Sequence, residues 1–272
     1  MLEGLTKKPI MTPYQRDLSR CLNSLGALYA NTSRATRAEE VYRQAAEILE
    51  RLDRDHAGAL DLAEELGTTY VNLAAQLAKR NKFPEALDYF GKGLARLDPL
   101  YDKVKGREDL RTMLRVTHKT RALLLAQLGR QAESVPDWDR ILELDRGTTP
   151  KEDRFGRLSA LARKGDHARV VAEAEALAAG AAGGDLYDLA CVYSLASAAV
   201  RKDRGLSSEE QKERAEQYAA RAVELLKQAH AEGFLQGPLN WQNMVGDADL
   251  EAIRKHPAYK EFVEKARPRG DK

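Results

Sequence analysis

Two short stretches near the start of the chain decide its fold: LGALY at residues 25–29 and AEEVYRQA at residues 38–45. In the first, the small residue Gly26 stands among larger apolar residues. In the second, Ala38 stands four residues before the aromatic Tyr42. A small residue beside a large one on each of two amphipathic helices lets the helices approach closely. The stretches therefore predict a helical hairpin, with helices over residues 17–31 and 36–52.

The same pattern recurs every 48 residues, which indicates an internal repeat. The sets that share this interval are Leu18, Leu66 and Leu114; Gly26, Ala74 and Ala122; Ala38, Ala86 and Ser134; and Tyr42, Phe90 and Trp138. The inner stripe of the first helix is expected to carry Leu18, Leu22, Leu25 and Tyr29, because three- and four-residue spacings place them on one helical face. Each unit of the repeat is thus predicted to be one hairpin.

This pattern resembles the tetratricopeptide repeat (TPR), whose usual unit has about 34 residues. A further seven residues in each helix, close to two turns, would lengthen the unit without rotating its apolar face. The resemblance implies an all-α fold, a right-handed superhelix of about five hairpins closed by a C-terminal pair of capping helices. A polar outer helix is what such a stack needs at its end.

The repeat divides the chain into four segments. They are an N-terminal extension, residues 1–13, expected to be flexible; four hairpins, 14–179, the first three with the 48-residue period; a fifth hairpin, 180–232, with a polar insert at 201–213 before a helix over 215–231; and a C-terminal loop with capping helices, 233–272.

Local signals mark the ends of elements in the later segments. Ser207 or Ser208 is predicted to cap a helix, with Glu210 or Gln211 reaching back. Gly237-Pro238 and Gly246 are predicted to bracket a loop that holds Trp241. After the loop, Asp247 or Asp249 is predicted to cap a short helix, and Pro257 is predicted to begin the last helix.

Composition excludes several classes of protein. The 272 residues carry 44 Lys and Arg against 42 Asp and Glu, a net charge of +2, so bulk charge favours neither nucleic acid nor an anionic membrane. The start of the chain lacks the pattern of a signal peptide, and no apolar run reaches the roughly 20 residues that span a bilayer. Cys21 and Cys191 each lie in an apolar helical pattern and are predicted to be buried free thiols. We therefore expect a cytoplasmic protein.

Several strings are similar to the TPR regions found C-terminal to the catalytic domain of serine/threonine protein kinases in planctomycete bacteria. The strings are RALLLAQLGR at 121–130, PDWDR at 136–140, ARKGDHAR at 162–169 and YDLACVY at 187–193. The resemblance implies a bacterial kinase system as a partner and no catalytic role. The chain carries no Gly-rich phosphate loop and no His-Arg-Asp motif, and DYFG at 88–91 places Phe90 at the repeat's core position.

The sequence offers no candidate chemistry. The five histidines, His56, His118, His167, His230 and His256, have no metal-ligand spacing, and acidic pairs such as Glu39-Glu40 are expected on solvated helical faces. The basic C-terminal residues alternate with acids, which weakens any affinity for phosphates. We predict no catalytic, cofactor-binding or metal-binding residue, no nucleic acid or membrane partner and no small-molecule substrate.

The first helices of such hairpins line a concave surface that suits an extended peptide. The polar residues predicted to point into this groove are Arg20, Asn23, Asn31, Asn72, Lys79, Lys119 and Gln127. Asn72 occupies a place that resembles the carboxylate clamp of some TPR proteins, but Ala27, Val116 and Thr120 depart from that clamp. The sequence therefore predicts a non-enzymatic scaffold that binds a protein or peptide, or alternatively a regulatory, substrate-recruiting or self-association module of a serine/threonine kinase system.

Overall fold

The structure, a computed structural model, describes residues 11–145, 147 and 149–267, and these residues form helices and no strand. The predicted all-α fold of helical hairpins is confirmed. Within the described ranges, no helix is long and apolar enough to cross a membrane. Of the predicted N-terminal extension, residues 1–10 lie outside the described residues and residues 11–13 belong to the first helix.

The chain forms two compact units, Met1–Leu124 and Leu125–Lys272. The helices of the first unit are α1 (Met11–Asn31), α2 (Ala35–Asp55), α3 (Leu60–Lys79), α4 (Phe83–Lys103) and most of α5 (Glu108–Gln127). Those of the second are α6 (Val135–Glu143), α7 (Lys151–Lys164), α8 (His167–Ala178), α9 (Gly184–Val200), α10 (Ser208–Ala231), α11 (Pro238–Gly246) and α12 (Pro257–Ala266).

In the first unit, α1 pairs with α2, α2 packs against α3, and α3 pairs with α4. The small residues predicted at the hairpin contacts are buried, as at Ala38 and Ala86. A Cβ atom built on Gly26 would lie 2.6 Å from the ring of Tyr42, so only glycine fits beneath that ring. These helices therefore pack closely because a small residue on one helix lies beneath a large residue on the other, as the sequence predicts.

A second close approach, which the repeat pattern did not reveal, joins α3 to α4 at Gly67 and Gly93. A Cβ on Gly93 would lie 2.8 Å from Cγ2 of Val71 and 3.0 Å from the backbone oxygen of Gly67. A Cβ on Gly67 would meet Leu97 at 2.8 Å. The two backbones therefore cross with no room for a side chain on either glycine.

The predicted inner stripe of α1 is wrong at two positions. Leu18 is 51 % exposed and Leu25 is 37 % exposed, and Cys21, predicted to be buried, is exposed between them. Their counterparts one repeat later, Leu66 and Leu73, are fully buried against residues of α2. The leucines thus occupy the face that packs on a preceding hairpin, and no such hairpin is present among the described residues.

In the second unit, α7 contacts α8 and α9, and α9 pairs with α10. The ring of Trp138 covers Gly156, where a Cβ would lie 2.7 Å away, and its Nε1 donates to Oγ of Ser134 at 3.0 Å. The predicted cap is confirmed at Ser207, which forms a capping box with Glu210. Because this box starts the helix, α10 begins at Ser208 and not at residue 215.

The C-terminal segment contains one more helix than predicted, because α11 precedes the predicted short helix, a 3-10 helix over Ala248–Ile253 capped by Asp247, and α12. Trp241, predicted to lie in a loop, lies in α11, which begins at Pro238 after Gly237. Proline is favourable at the first helical position, and the three-residue spacing of Trp241 and Met244 places both on the buried face. The predicted start of α12 at Pro257 is confirmed, with His256 as its N-cap.

Candidate functional site

A row of polar side chains runs along α3 and is bridged by side chains of α1. On α3 the row comprises Glu65, Thr69, Asn72, Gln76 and Lys79, whose alternating spacings of four and three residues place them on one helical face. Arg16, Arg20 and Asn23 of α1 reach across to the N-terminal half of this row. We call this row and its three α1 partners the polar seam.

Glu65 anchors one end of the polar seam. Its Oε1 accepts hydrogen bonds from Nη2 of Arg16 and Nη2 of Arg20, each at 2.7 Å. The hydrogen bond to Glu65 raises the pKa of Arg16, which keeps that guanidinium charged. Arg20, a predicted contact for the ligand, is therefore already engaged within the protein.

Asn23 forms the next link in the polar seam. Its Nδ2 donates to Oγ1 of Thr69 at 2.8 Å, and the same hydroxyl lies 3.1 Å from Oδ1 of Asn23. Thr69 is fully buried, and its hydroxyl also contacts the backbone oxygen of Glu65 at 2.7 Å. Asn23 was predicted as a ligand contact, and its observed contacts fix the spacing of α1 and α3.

The C-terminal half of the polar seam is not engaged in this way. Among the described residues, the side chains of Asn72 and Lys79 make no hydrogen bond or ion pair. Between them lies Gln76, which is only 4 % exposed and whose buried Oε1 has no hydrogen-bond partner. A ligand on the surface does not reach this oxygen because it is buried, and its missing hydrogen bond costs about 1 to 3 kcal/mol. Burial of Gln76 was not predicted, because the spacing of polar residues on one helix does not show what a second helix covers.

The other predicted contacts lie outside this row. Asn31 is the last residue of α1 and is exposed, and Lys119 is half-buried on α5 of the first unit. Gln127 lies at the end of α5, in the second unit. The structure therefore brings together Arg20, Asn23, Asn72 and Lys79 along one pair of helices.

The histidines have separate structural roles. Nε2 of His118 lies 3.1 Å from Oδ2 of Asp98, and Nε2 of His167 lies 2.9 Å from Oδ2 of Asp203. Nδ1 of His256 accepts a hydrogen bond from the backbone N–H of Ala258. In the part of the chain that the structure describes, no group of three or more His, Cys, Asp or Glu residues could hold a metal ion.

Glu39, expected on a solvated face, is instead only 5 % exposed. Its carboxylate accepts hydrogen bonds from Lys82 at 2.9 Å, from Arg43 and from Arg80, which ties α2 to the turn between α3 and α4. Burial raises the pKa of Glu39, but these three cations outweigh burial, and the pKa lies below its ordinary value. Adjacent Glu40 is exposed, so the pair diverges as adjacent helical residues do.

A group of basic residues at the ends of α7 and α9 was not predicted. Lys164 is the last residue of α7, and Lys202 and Arg204 follow the end of α9. The position of Lys164 could have indicated this group. Asn31 and Lys79 were predicted as contacts at the ends of the first helices of their hairpins, and Lys164 ends the first helix of a later hairpin. The segment after α9 was interpreted only as a polar insert.

Comparison with known proteins matches one segment of the chain to a repeat family. Residues 18–52 match the sequence model of the tetratricopeptide repeat family. No curated protein matches the chain. Among solved structures, YrrB, a TPR protein with an unusual peptide-binding site, aligns over 77% of this chain and 89% of that chain with 18% identity and a TM-score of 0.41. A tetratricopeptide repeat protein from Parabacteroides merdae ATCC 43184 aligns over 87% of this chain and 99% of that chain with 16% identity and a TM-score of 0.29.

Proposed function

We propose that the chain is a non-enzymatic protein-interaction scaffold that binds an extended peptide or protein segment along the polar seam of α1 and α3. The observation that carries this proposal is that the side chains of Asn72 and Lys79, which share one face of α3, make no hydrogen bond or ion pair among the described residues.

The side chains of the polar seam have complementary roles in this proposal. The Asn72 amide can donate to one backbone group of a peptide and accept from another, and the Lys79 ammonium can bind a carbonyl or a carboxylate. Arg20 and Asn23 hold α1 against α3 through Glu65 and Thr69, so they keep the seam in shape. We expect Asn31 and Lys119 to extend the contact within the first unit.

The match of residues 18–52 to the tetratricopeptide repeat family supports a scaffold, because helical repeats present extended surfaces on which peptides dock. In this proposal the ligand binds to the side chains of Asn72 and Lys79, and the protein performs no chemical step. The partner is a protein or peptide, and the site of action is the cytoplasm.

The test is affinity capture from a bacterial lysate followed by mass spectrometry. Asn72→Ala with Lys79→Ala removes one amide and one ammonium from the polar seam. Gln44→Ala with Lys103→Ala removes the same groups from exposed positions on α2 and α4 and is the matched control. Asn23 is left unchanged because its loss would disturb α1 packing as well as binding.

The expected result is that wild type and the control variant capture the same prey, while the seam variant loses it. A synthetic peptide from that prey should then bind wild type about tenfold more tightly than the seam variant, which is 1.4 kcal/mol. Equal capture and equal peptide affinity for both variants would remove the polar seam as the binding site.

The alternative is a regulatory, substrate-recruiting or self-association module of a bacterial serine/threonine kinase system. The strings at 121–130, 136–140, 162–169 and 187–193 favour this alternative because they resemble the TPR regions of planctomycete kinases. A serine/threonine kinase among the captured prey, lost with the seam variant, would support it. Capture of prey without a kinase would favour a general scaffold.

A further inference from the structure

A cleft of about 530 Å³ opens in the second unit between the C-terminal ends of α7 and α9. Its apolar lining comes from Ala162 of α7 and from Leu195, Ala198 and Ala199 of α9. None of the described residues that line it is aromatic, so it has no stacking surface for a nucleobase. The aliphatic lining suits a side chain such as leucine, and the volume leaves room for the adjoining peptide backbone.

The rim of this cleft is strongly basic. Arg163, Lys164, Lys202 and Arg204 line it, with Asp203 as the single acid. Two of these charges are already engaged: Arg163 is paired with Asp249, and Asp203 lies beside His167 and accepts the backbone N–H of Gly205.

The remaining three cations have no internal partner. Among the described residues, Lys164, Lys202 and Arg204 make no ion pair or side-chain hydrogen bond. Lys164 lies in the last turn of α7, where the negative end of the helix dipole favours a cation, so the dipole accounts for this residue. Lys202 and Arg204 lie beyond the end of α9, so the dipole does not account for them.

The backbone around the cleft selects among anionic ligands. Two helix C-termini line it, and these present carbonyl oxygens where a phosphate would need N–H groups. The cations are carried on separate, flexible side chains from two different segments. This arrangement suits several carboxylates spread along a chain better than one compact dianion.

We propose that this cleft is a second binding site, which takes an acidic, extended peptide segment of a partner protein with an aliphatic side chain between its carboxylates. The aliphatic side chain contacts Leu195, Ala198 and Ala199, and the carboxylates pair with Lys164, Lys202 and Arg204. The proposal does not depend on the polar seam of the first unit.

The probe for this site is a fluorescein-labelled peptide, Glu-Glu-Leu-Glu-Glu, acetylated or amidated at its free end, and binding to the full chain is followed by fluorescence anisotropy. The peptides Gln-Gln-Leu-Gln-Gln and Glu-Glu-Ala-Glu-Glu test the charge and the aliphatic contact. Lys164→Gln with Lys202→Gln removes two charges from the cleft. Lys255→Gln with Lys260→Gln removes two charges from exposed positions elsewhere in the same unit.

We expect the cleft variant to bind the acidic peptide about tenfold more weakly than wild type and the matched control to change Kd less than about twofold. The glutamine peptide should not bind, and the alanine peptide should bind more weakly than the leucine peptide. Circular dichroism spectra of both variants should equal that of wild type, since all four lysines are exposed.

Three results would overturn the proposal. One is that the acidic peptide does not bind wild type. Another is that both double variants weaken binding equally, which would indicate attraction to net charge. The third is that inorganic phosphate displaces the peptide at equimolar concentration, which would assign the cleft to a compact anion.

Discussion

Replacing Gly93 by alanine is expected to destabilise the first unit, whereas the same change at Gly91, on the same helix, is expected to stabilise it. Alanine is favoured over glycine in a helix interior by about 1 kcal/mol at either position. At Gly91 a Cβ would meet only Nη1 of Arg121, at an ordinary 3.8 Å, so this gain is kept.

At Gly93 the gain is outweighed by the crossing of α3 and α4. The new methyl group would lie 2.8 Å from Cγ2 of Val71 and 3.0 Å from the backbone oxygen of Gly67. A backbone oxygen cannot rotate away, so the helices must separate and lose contacts around the crossing. Overpacking of this kind costs roughly 1 to 3 kcal/mol, which leaves Gly93→Ala about 2 kcal/mol less stable than Gly91→Ala.

Urea unfolding followed by circular dichroism at 222 nm measures both variants against wild type. Hydrogen exchange of the α3 and α4 amides locates the effect, and these amides should exchange faster in Gly93→Ala and more slowly in Gly91→Ala. If Gly93→Ala were as stable as Gly91→Ala, the close crossing of α3 and α4 would be refuted.

Two further predictions concern ionisable groups of the second unit and the free thiols. Burial and the neighbouring carboxylates of Asp185 and Asp247 raise the pKa of Asp188 to about 6. The unfolded chain therefore ionises first as the pH rises from about 4, so wild type loses stability relative to Asp188→Asn between pH 4 and pH 6. Urea titrations should give the variant an advantage that rises over this pH range to about 1 to 2 kcal/mol, since Asp188 is only partly buried and solvent screens its charge. An advantage independent of pH would contradict the raised pKa of Asp188. Burial also raises the pKa of the Cys191 thiol, whereas Cys21 is exposed. The native protein should show one thiol that reacts fast with Ellman's reagent, and Cys21→Ser should lack this fast phase. In urea both thiols of the wild type should react. A fast phase that persists in native Cys21→Ser would place Cys191 at the surface.

The contacts that could be predicted from the sequence are those that depend on residue size and on spacing within one hairpin or turn. Gly26 beneath Tyr42, and the buried Ala38 and Ala86, follow from one rule about close helix packing. The capping box at Ser207 follows from the chemistry of free N–H groups at a helix start. Contacts of this kind join residues of the same hairpin or the same turn, so the pattern contains both partners.

The burial of side chains that pack against a different hairpin was not predicted. The leucine at position 18 has the same local pattern as Leu66, but among the described residues only Leu66 has a preceding hairpin to pack against. Periodicity identifies an apolar face and does not reveal whether something covers it. Trp241 was assigned to a loop because glycines flank it, although Pro238 also fits the first position of a helix.

The candidate site was predicted only in part for the same reason. The sequence selected Asn23 and Asn72 by their place on the first helices, but it did not show that Asn23 is bound to Thr69. Nor did it show that the Gln76 oxygen is buried without a partner. Whether a polar group is satisfied depends on atoms from a second helix, and one helix pattern does not contain them.

The contact between Gly26 and Tyr42 limits how this chain can be redesigned. At the corresponding positions of the next hairpin stand Ala74 and Phe90, so each hairpin has its own pair of sizes. A chimera that kept α2 but took its partner helix from α3 would press the methyl group of Ala74 into the tyrosine ring. Position 26 and position 42 would therefore have to be exchanged together, as one matched pair.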